Sequence, residues 1–168
     1  MPKRELHPFE NDRIILRLLE RADLPLTLSW RNQEHIRKWF LNTAIILEEQ
    51  HFAWFERYKE LDHDFMFVIL AKDLSNKPIG QISLYNIDWN TQTAEFGRLL
   101  IGEAVAKGKG FAKDATRLLL EYGFGSLGLK EITLEVKDDN ESAIAIYRTV
   151  GFVETSKKNR LMVMSIQA

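Results

Sequence analysis

A strand that runs into a two-glycine loop and on into a helix narrows the folds open to this chain more than any other feature of its 168 residues. The strand spans Thr93 to Ile101, the loop carries Gly108 and Gly110, and the helix runs from about Ala112 to Phe124. In that helix Ala115, Leu118, Leu119 and Tyr122 recur at i, i+3, i+4 and i+7, the spacing of one buried face. Gly125 and Gly128 then stop it.

The flanking segments fix what this unit joins. Ile14–Leu19 reads as a first strand, and Asp23 with Pro25 opens a helix expected to run from Leu24 to about Phe40. A second helix is predicted from Glu48 to about Leu61, with Phe52, Phe55 and Tyr58 on one stripe. Phe65–Ala71, Ile79 to about Trp89, and Thr93–Ile101 read as an antiparallel meander, with Gly80 marking a bulge. After the glycine loop come a strand at Ile132–Val136, a short helix opened by Asp138-Asp139-Asn140 and closed by Gly151, and a last strand at Leu161–Ile166. The expected class is α/β (α+β): a mixed, mostly antiparallel central sheet flanked by about four helices, in one domain over residues 1–168.

Composition removes several chemistries. With no cysteine there is no disulfide framework, thiolate metal site or thiol nucleophile. His7, His35, His51 and His63 lack metal-ligand spacing, so no metal is expected, and His51 reads as a surface or capping residue. A net charge of −1 speaks against nucleic acid as partner. No apolar run approaches the roughly 20 residues of a membrane span, so a soluble cytoplasmic protein is expected.

The loop Lys107-Gly108-Lys109-Gly110-Phe111-Ala112 joins two flexible backbone positions to a helix N-terminus, which favours an anion. It is not a Walker loop, because no Ser or Thr follows a Gly-Lys pair, and it lacks the third glycine of a dinucleotide fingerprint. A turn with solvated lysines and a cradle for a coenzyme A pyrophosphate both remain open on the segment alone.

Taken with a second stretch, the loop resembles a known family. Lys107 to Ala112 is similar to the Arg/Gln-x-x-Gly-x-Gly/Ala signature of the GNAT (Gcn5-related) N-acetyltransferases, with Lys107 departing from the usual Arg or Gln. Asn140 to Phe152 resembles that family's Asn-x-x-Ala-x-x-x-Tyr-x-x-x-Gly-Phe motif position for position. The resemblance covers about residues 10–166 and lies nearest the branch of ribosomal-protein, polyamine and nucleotide-amino-sugar acetyltransferases. It implies acetyl-CoA as cosubstrate. Leu99, Leu100 and Ile101 would pair with pantetheine, Lys107, Gly108, Lys109, Gly110, Phe111 and Ala112 would hold the pyrophosphate, and Asn140 and Ala143 would complete the cofactor site. Related proteins are often homodimers.

Acetyl transfer to an amine needs a base for the ammonium proton and a proton donor for the leaving sulfur. Glu95 is the candidate base and Tyr147 the candidate acid, although Glu95 alone could face solvent and Tyr147 could simply pack. Without cysteine the transfer is direct, in a ternary complex. The first two helices would build the acceptor site. Trp30-Arg31-Asn32, Arg37 and Trp39 resemble enzymes that modify amino sugars on nucleotide carriers, which makes a nucleotide-linked amino sugar the preferred small-molecule acceptor. A polyamine drawn to Glu48, Glu49, Glu56, Glu60, Asp62 and Asp64, a ribosomal-protein N-terminus, and a noncatalytic acyl-CoA-binding module are the alternatives.

Overall fold

The computed structural model describes residues 2–168. Eight strands form one sheet: β1 (Phe9–Glu10), β2 (Ile14–Leu18), β3 (Phe65–Ala71), β4 (Lys77–Asp88), β5 (Thr93–Ile101), β6 (Glu131–Lys137), β7 (Val153–Lys158) and β8 (Leu161–Gln167). Their order is β1-β2-β3-β4-β5-β6-β8-β7, and every neighbouring pair is antiparallel except β5 and β6. Five α-helices cover it: α1 (Leu24–Arg31), α2 (Glu34–Arg37), α3 (Glu48–Tyr58), α4 (Phe111–Gly125) and α5 (Glu141–Val150).

β3 shows why both faces of the sheet are covered. Met66 and Val68 pack against Leu24, Phe55 and Tyr58 from α1 and α3. Phe65, Phe67 and Ile69 join the larger core that holds Phe111, Ala115, Leu118 and Leu119 of α4 and Ile144 and Tyr147 of α5. An unbroken apolar run suits a strand buried on both sides. Each such side chain contributes about 1.5–3 kcal/mol by leaving water.

The helix expected over Leu24–Phe40 is two helices. Asn32 breaks it: its Nδ2 donates to the Ile46 carbonyl and its Oδ1 accepts from the Ile46 N–H, both at 2.8 Å. Gln33 is correspondingly extended, at φ −62° and ψ 132°. His51 is buried rather than surface-placed, with Nε2 3.0 Å from Thr27 Oγ1 and its ring stacked on Trp54. Burial pushes its pKa below the ordinary histidine value. The bulge near Gly80 is present on β4, at the register shift opposite Ile69 and Leu70. β7, an exposed polar strand, gave no apolar pattern to find.

Candidate active site

β5 and β6 pair only from Thr93 to Glu95 and Glu131 to Thr133. Beyond those residues the two strands part, although each continues to Ile101 and Lys137. A bulge in β5 accompanies the divergence. Between the pairs Gln81–Leu100 and Ser83–Gly97, two residues of β5, Arg98 and Leu99, face one of β4. Arg98 is left-handed at φ 56°, and its carbonyl accepts from Gln81 Nε2 at 3.1 Å. Such a bulge bends its strand. Gly97 beside it leaves room for Tyr85, whose hydroxyl would lie 2.7 Å from a Cβ there and would have to shift.

The wedge is a cavity of about 580 Å³ lined by β5 from Glu95 to Ile101 and β6 from Leu134 to Lys137. α5 contributes Ala143 and Tyr147, and the opposite wall carries Arg31, His35, Trp39 and Phe40. Of the expected cofactor residues, Leu99, Leu100, Ile101, Ala112, Asn140 and Ala143 all line it.

The glycine loop leads from this cavity into α4. Gly108 and Gly110 are left-handed, at φ 73° and 79°, and Gly110 is the N-cap of α4. Among the described residues, the backbone N–H groups from Gly108 to Lys113 donate to no protein acceptor. Free N–H groups at a helix N-terminus, together with the helix dipole, favour an anion. Arg13 supports the loop by donating to the Lys109 carbonyl at 2.8 Å and pairing with Asp114. Lys107 Nζ meets Nε2 of His35 across the cavity mouth.

α5 starts at Asn140, whose Oδ1 accepts from the Ala143 N–H at 3.4 Å. That leaves its amide NH₂ without a protein acceptor among the described residues. Tyr147, 8% exposed, is packed edge-on to Phe96 and Phe152 at ring separations of 5.6 and 5.8 Å. Its hydroxyl has no protein partner among the described residues. Burial, with a smaller effect of Tyr85, pushes its pKa well above the usual phenol value, so the hydroxyl keeps its proton.

Glu95 lines the cavity, opposite Tyr85 on β4 and level with Thr133 on β6. Glu135 stands two residues beyond Thr133 and so shares its face, placing a second carboxylate on the wedge. The alternation of β6 shows that Glu135 turns from the core, but only the splayed strands show that it meets the site. Arg98 also lines the cavity, held by both oxygens of buried Asp64 at 2.7 and 3.0 Å, with its guanidinium 4.5 Å from the Tyr85 ring centre. No local pattern marks it.

On the acceptor side the expected residues divide. Arg31 and Trp39 line the cavity. Trp30 does not: it is 1% exposed, packs with Ile36 and Leu100, and donates to Glu103 Oε2 at 2.6 Å. Asn32 is committed to Ile46, and Arg37 donates to the Asn32 carbonyl at 3.0 Å outside the cavity lining. Arg31 is 8% exposed. Its Nη2 donates to the Asn42 carbonyl at 2.6 Å, its guanidinium lies 3.9 Å from the Phe40 ring centre, and its buried Nη1 has no partner among the described residues. Burial first, then Arg37, holds its pKa below the ordinary arginine value.

Residues 13–153 match the family described as acetyltransferase (GNAT) domain. The chain is 32% identical over 148 residues to spermidine N(1)-acetyltransferase of Vibrio cholerae, covering 86% of this chain and 81% of that protein. The crystal structure of spermidine N-acetyltransferase from Vibrio cholerae with CoA and spermine superposes with a TM-score of 0.84 at 26% identity, over 94% of this chain and 96% of that one. Apo FdhC, a nucleotide-linked sugar GNAT, superposes at 0.80 over 98% and 90%; its 21% identity makes this a likeness of fold.

Proposed function

The chain belongs to the GNAT acetyltransferase family and is an N-acetyltransferase that uses acetyl-CoA, and from that premise we propose that its acceptor is the amine of a nucleotide-linked amino sugar. The observation that supports this reading is Arg31. A buried guanidinium on the cavity wall, with no carboxylate partner among the described residues, is stabilised by an anion and repels a polycation. Phosphate oxygens supply that anion, and Trp39 offers an apolar face to a sugar or base.

The wedge suits the cosubstrate. The inner edge of β5 past Glu95 is unpaired, and the loop at its mouth gathers free N–H groups from Gly108 to Lys113. Leu99, Leu100 and Ile101 pair with the pantetheine amides, and the free NH₂ of Asn140 meets them from the other side. The N–H groups from Gly108 to Ala112 hold the pyrophosphate, and acetyl-CoA supplies the acetyl thioester. Glu95 takes the proton of the acceptor ammonium, directly or through water. The nitrogen then bonds to the thioester carbonyl carbon, the carbon–sulfur bond breaks, Tyr147 gives its proton to the departing sulfur, and the second proton that the nitrogen sheds on becoming an amide returns to the Tyr147 phenolate.

A polyamine is the second reading. Glu95 and Glu135 together, and the 32% identity to a spermidine N(1)-acetyltransferase, favour it. Against it, several acidic residues outside the wedge already carry partners: Asp62 pairs with Arg4, Asp64 with Arg98, and Glu56 with Arg21 and Lys59. Thiol release from acetyl-CoA, measured with nucleotide-linked amino sugars, spermidine and peptides with free N-termini, separates the readings. Turnover led by the nucleotide-linked amino sugars is expected. Preferential turnover of spermidine or of a peptide would overturn the assignment.

A further inference from the structure

A second cavity, also about 580 Å³, adjoins the wedge and shares Leu41 and Lys137 with it. Its remaining walls come from Asp139 and from the tip of the β7–β8 hairpin, Lys158 to Leu161. Lys137, Lys158 and Arg160 thus face a single carboxylate.

The hairpin tip is built at some conformational expense. Lys158 pairs with Leu161, leaving the two-residue turn Asn159–Arg160, both left-handed at φ 53° and 65°. This turn favours Asn-Gly, because the second place has positive φ. Arginine occupies that place instead. Asp138, which also lies near Lys157, stands 3.6 Å from the Arg160 Nε, and among the described residues the two Nη groups of Arg160 have no protein acceptor. The Lys158 ammonium likewise has no carboxylate partner among the described residues. Lys137 is anchored, donating to the Lys38 carbonyl at 2.6 Å.

We propose that this cavity is the outer subsite of the acceptor, binding the phosphate-bearing end of a nucleoside diphosphate while the amino sugar lies in the wedge. The inference rests on the nucleotide-sugar reading above. Continuity carries it: the strip Phe40–Asn42 that Arg31 holds from within also forms, through Leu41, the rim between the two cavities. A guanidinium on the inner side of the Leu41 rim and a pair of cations on the outer side suit a ligand that carries its charge on phosphates.

The test titrates UDP and dTDP into the protein saturated with CoA, so that the pyrophosphate cradle is blocked. The variants are Lys158→Ala and Arg160→Gly; glycine suits the turn, so folding is preserved. The expected result is binding by the wild type that weakens about tenfold in the double variant, with CoA affinity unchanged. Equal binding in wild type and variant, or no binding, overturns the subsite, as does a loss confined to CoA. The acceptor reading fails separately. If the diphosphates bind here but no nucleotide-linked amine is acetylated, the subsite stands and the reading falls. If such amines are acetylated with a KM indifferent to both substitutions, the reading stands and the subsite falls.

Discussion

Asp64 grips the guanidinium of Arg98 through both carboxylate oxygens, at 2.7 and 3.0 Å, and so fixes the left-handed residue of the bulge where β5 leaves β6. Asp64 is 7% exposed and lies just ahead of β3, so the pair ties the cavity wall to the interior. Asp64→Asn keeps the shape but removes the charge. It is expected to lower stability by about 2 kcal/mol, discounted for the partial exposure of Arg98. Urea unfolding reads the midpoint, and acetyl-CoA KM should rise as the bulge loosens. An unchanged midpoint would show that the pair holds nothing in place.

Tyr147→Phe deletes a hydroxyl with no protein partner, so folding should change by less than about 1 kcal/mol. Turnover is expected to fall roughly 100-fold, the lower range for a lost general acid. Its pKa is raised above 10 by burial, so the acid form persists throughout the range below the ordinary phenol value. The wild-type kcat profile should therefore show no alkaline fall from this residue up to about pH 10. A fall near pH 8 that vanishes in the phenylalanine variant would contradict that environment.

Arg31→Met fills much the same volume without charge. The expected outcome is a KM for the nucleotide-linked acceptor raised about tenfold, with acetyl-CoA KM unchanged. Arg31→Lys should not restore it, because one ammonium cannot serve both the Asn42 carbonyl and a phosphate in the same geometry. Steady-state kinetics with each substrate varied in turn decides this. Improved use of spermidine by Arg31→Met would agree with the repulsion assigned to the guanidinium.

Gly102 stands where β5 leaves for the cofactor loop. A Cβ there would lie 2.1–2.5 Å from the Trp30 indole, which is fully enclosed. Gly102→Ala should cost about 3 kcal/mol, the upper range for overpacking, and displace the loop that follows. Thermal unfolding measures the loss. The contrasting Gly125→Ala meets nothing within 4 Å and should leave the midpoint close to wild type.

The backbone around the candidate site was legible where local chemistry is sufficient. Gly108, Gly110 and Gly151 each occupy a left-handed position, the last two at helix ends, so backbone sterics announce them. The order of Glu95, the glycine loop, Asn140 and Tyr147 gives a strand, a cradle and a capped helix in sequence. Trp30 was misread because an indole beside charged residues looks like a binding face. Its Nε1 instead satisfies Glu103, 73 residues away. Asn32 and Arg37 were misread for the same reason, since their partners are backbone carbonyls brought close by the fold.

Alternation, helix-end glycines and the Asn140–Phe152 pattern thus determined the order of elements and the place of the glycine loop, and the family resemblance singled out Glu95 and Tyr147 as candidates. Tertiary structure alone decided that β5 and β6 separate after Glu95. That separation brings Glu135, Arg98 and Arg31 to one cavity and joins it to a second. Pairing between strands is made by hydrogen bonds and side chains from distant segments, and their absence beyond one register position leaves no local mark on the sequence.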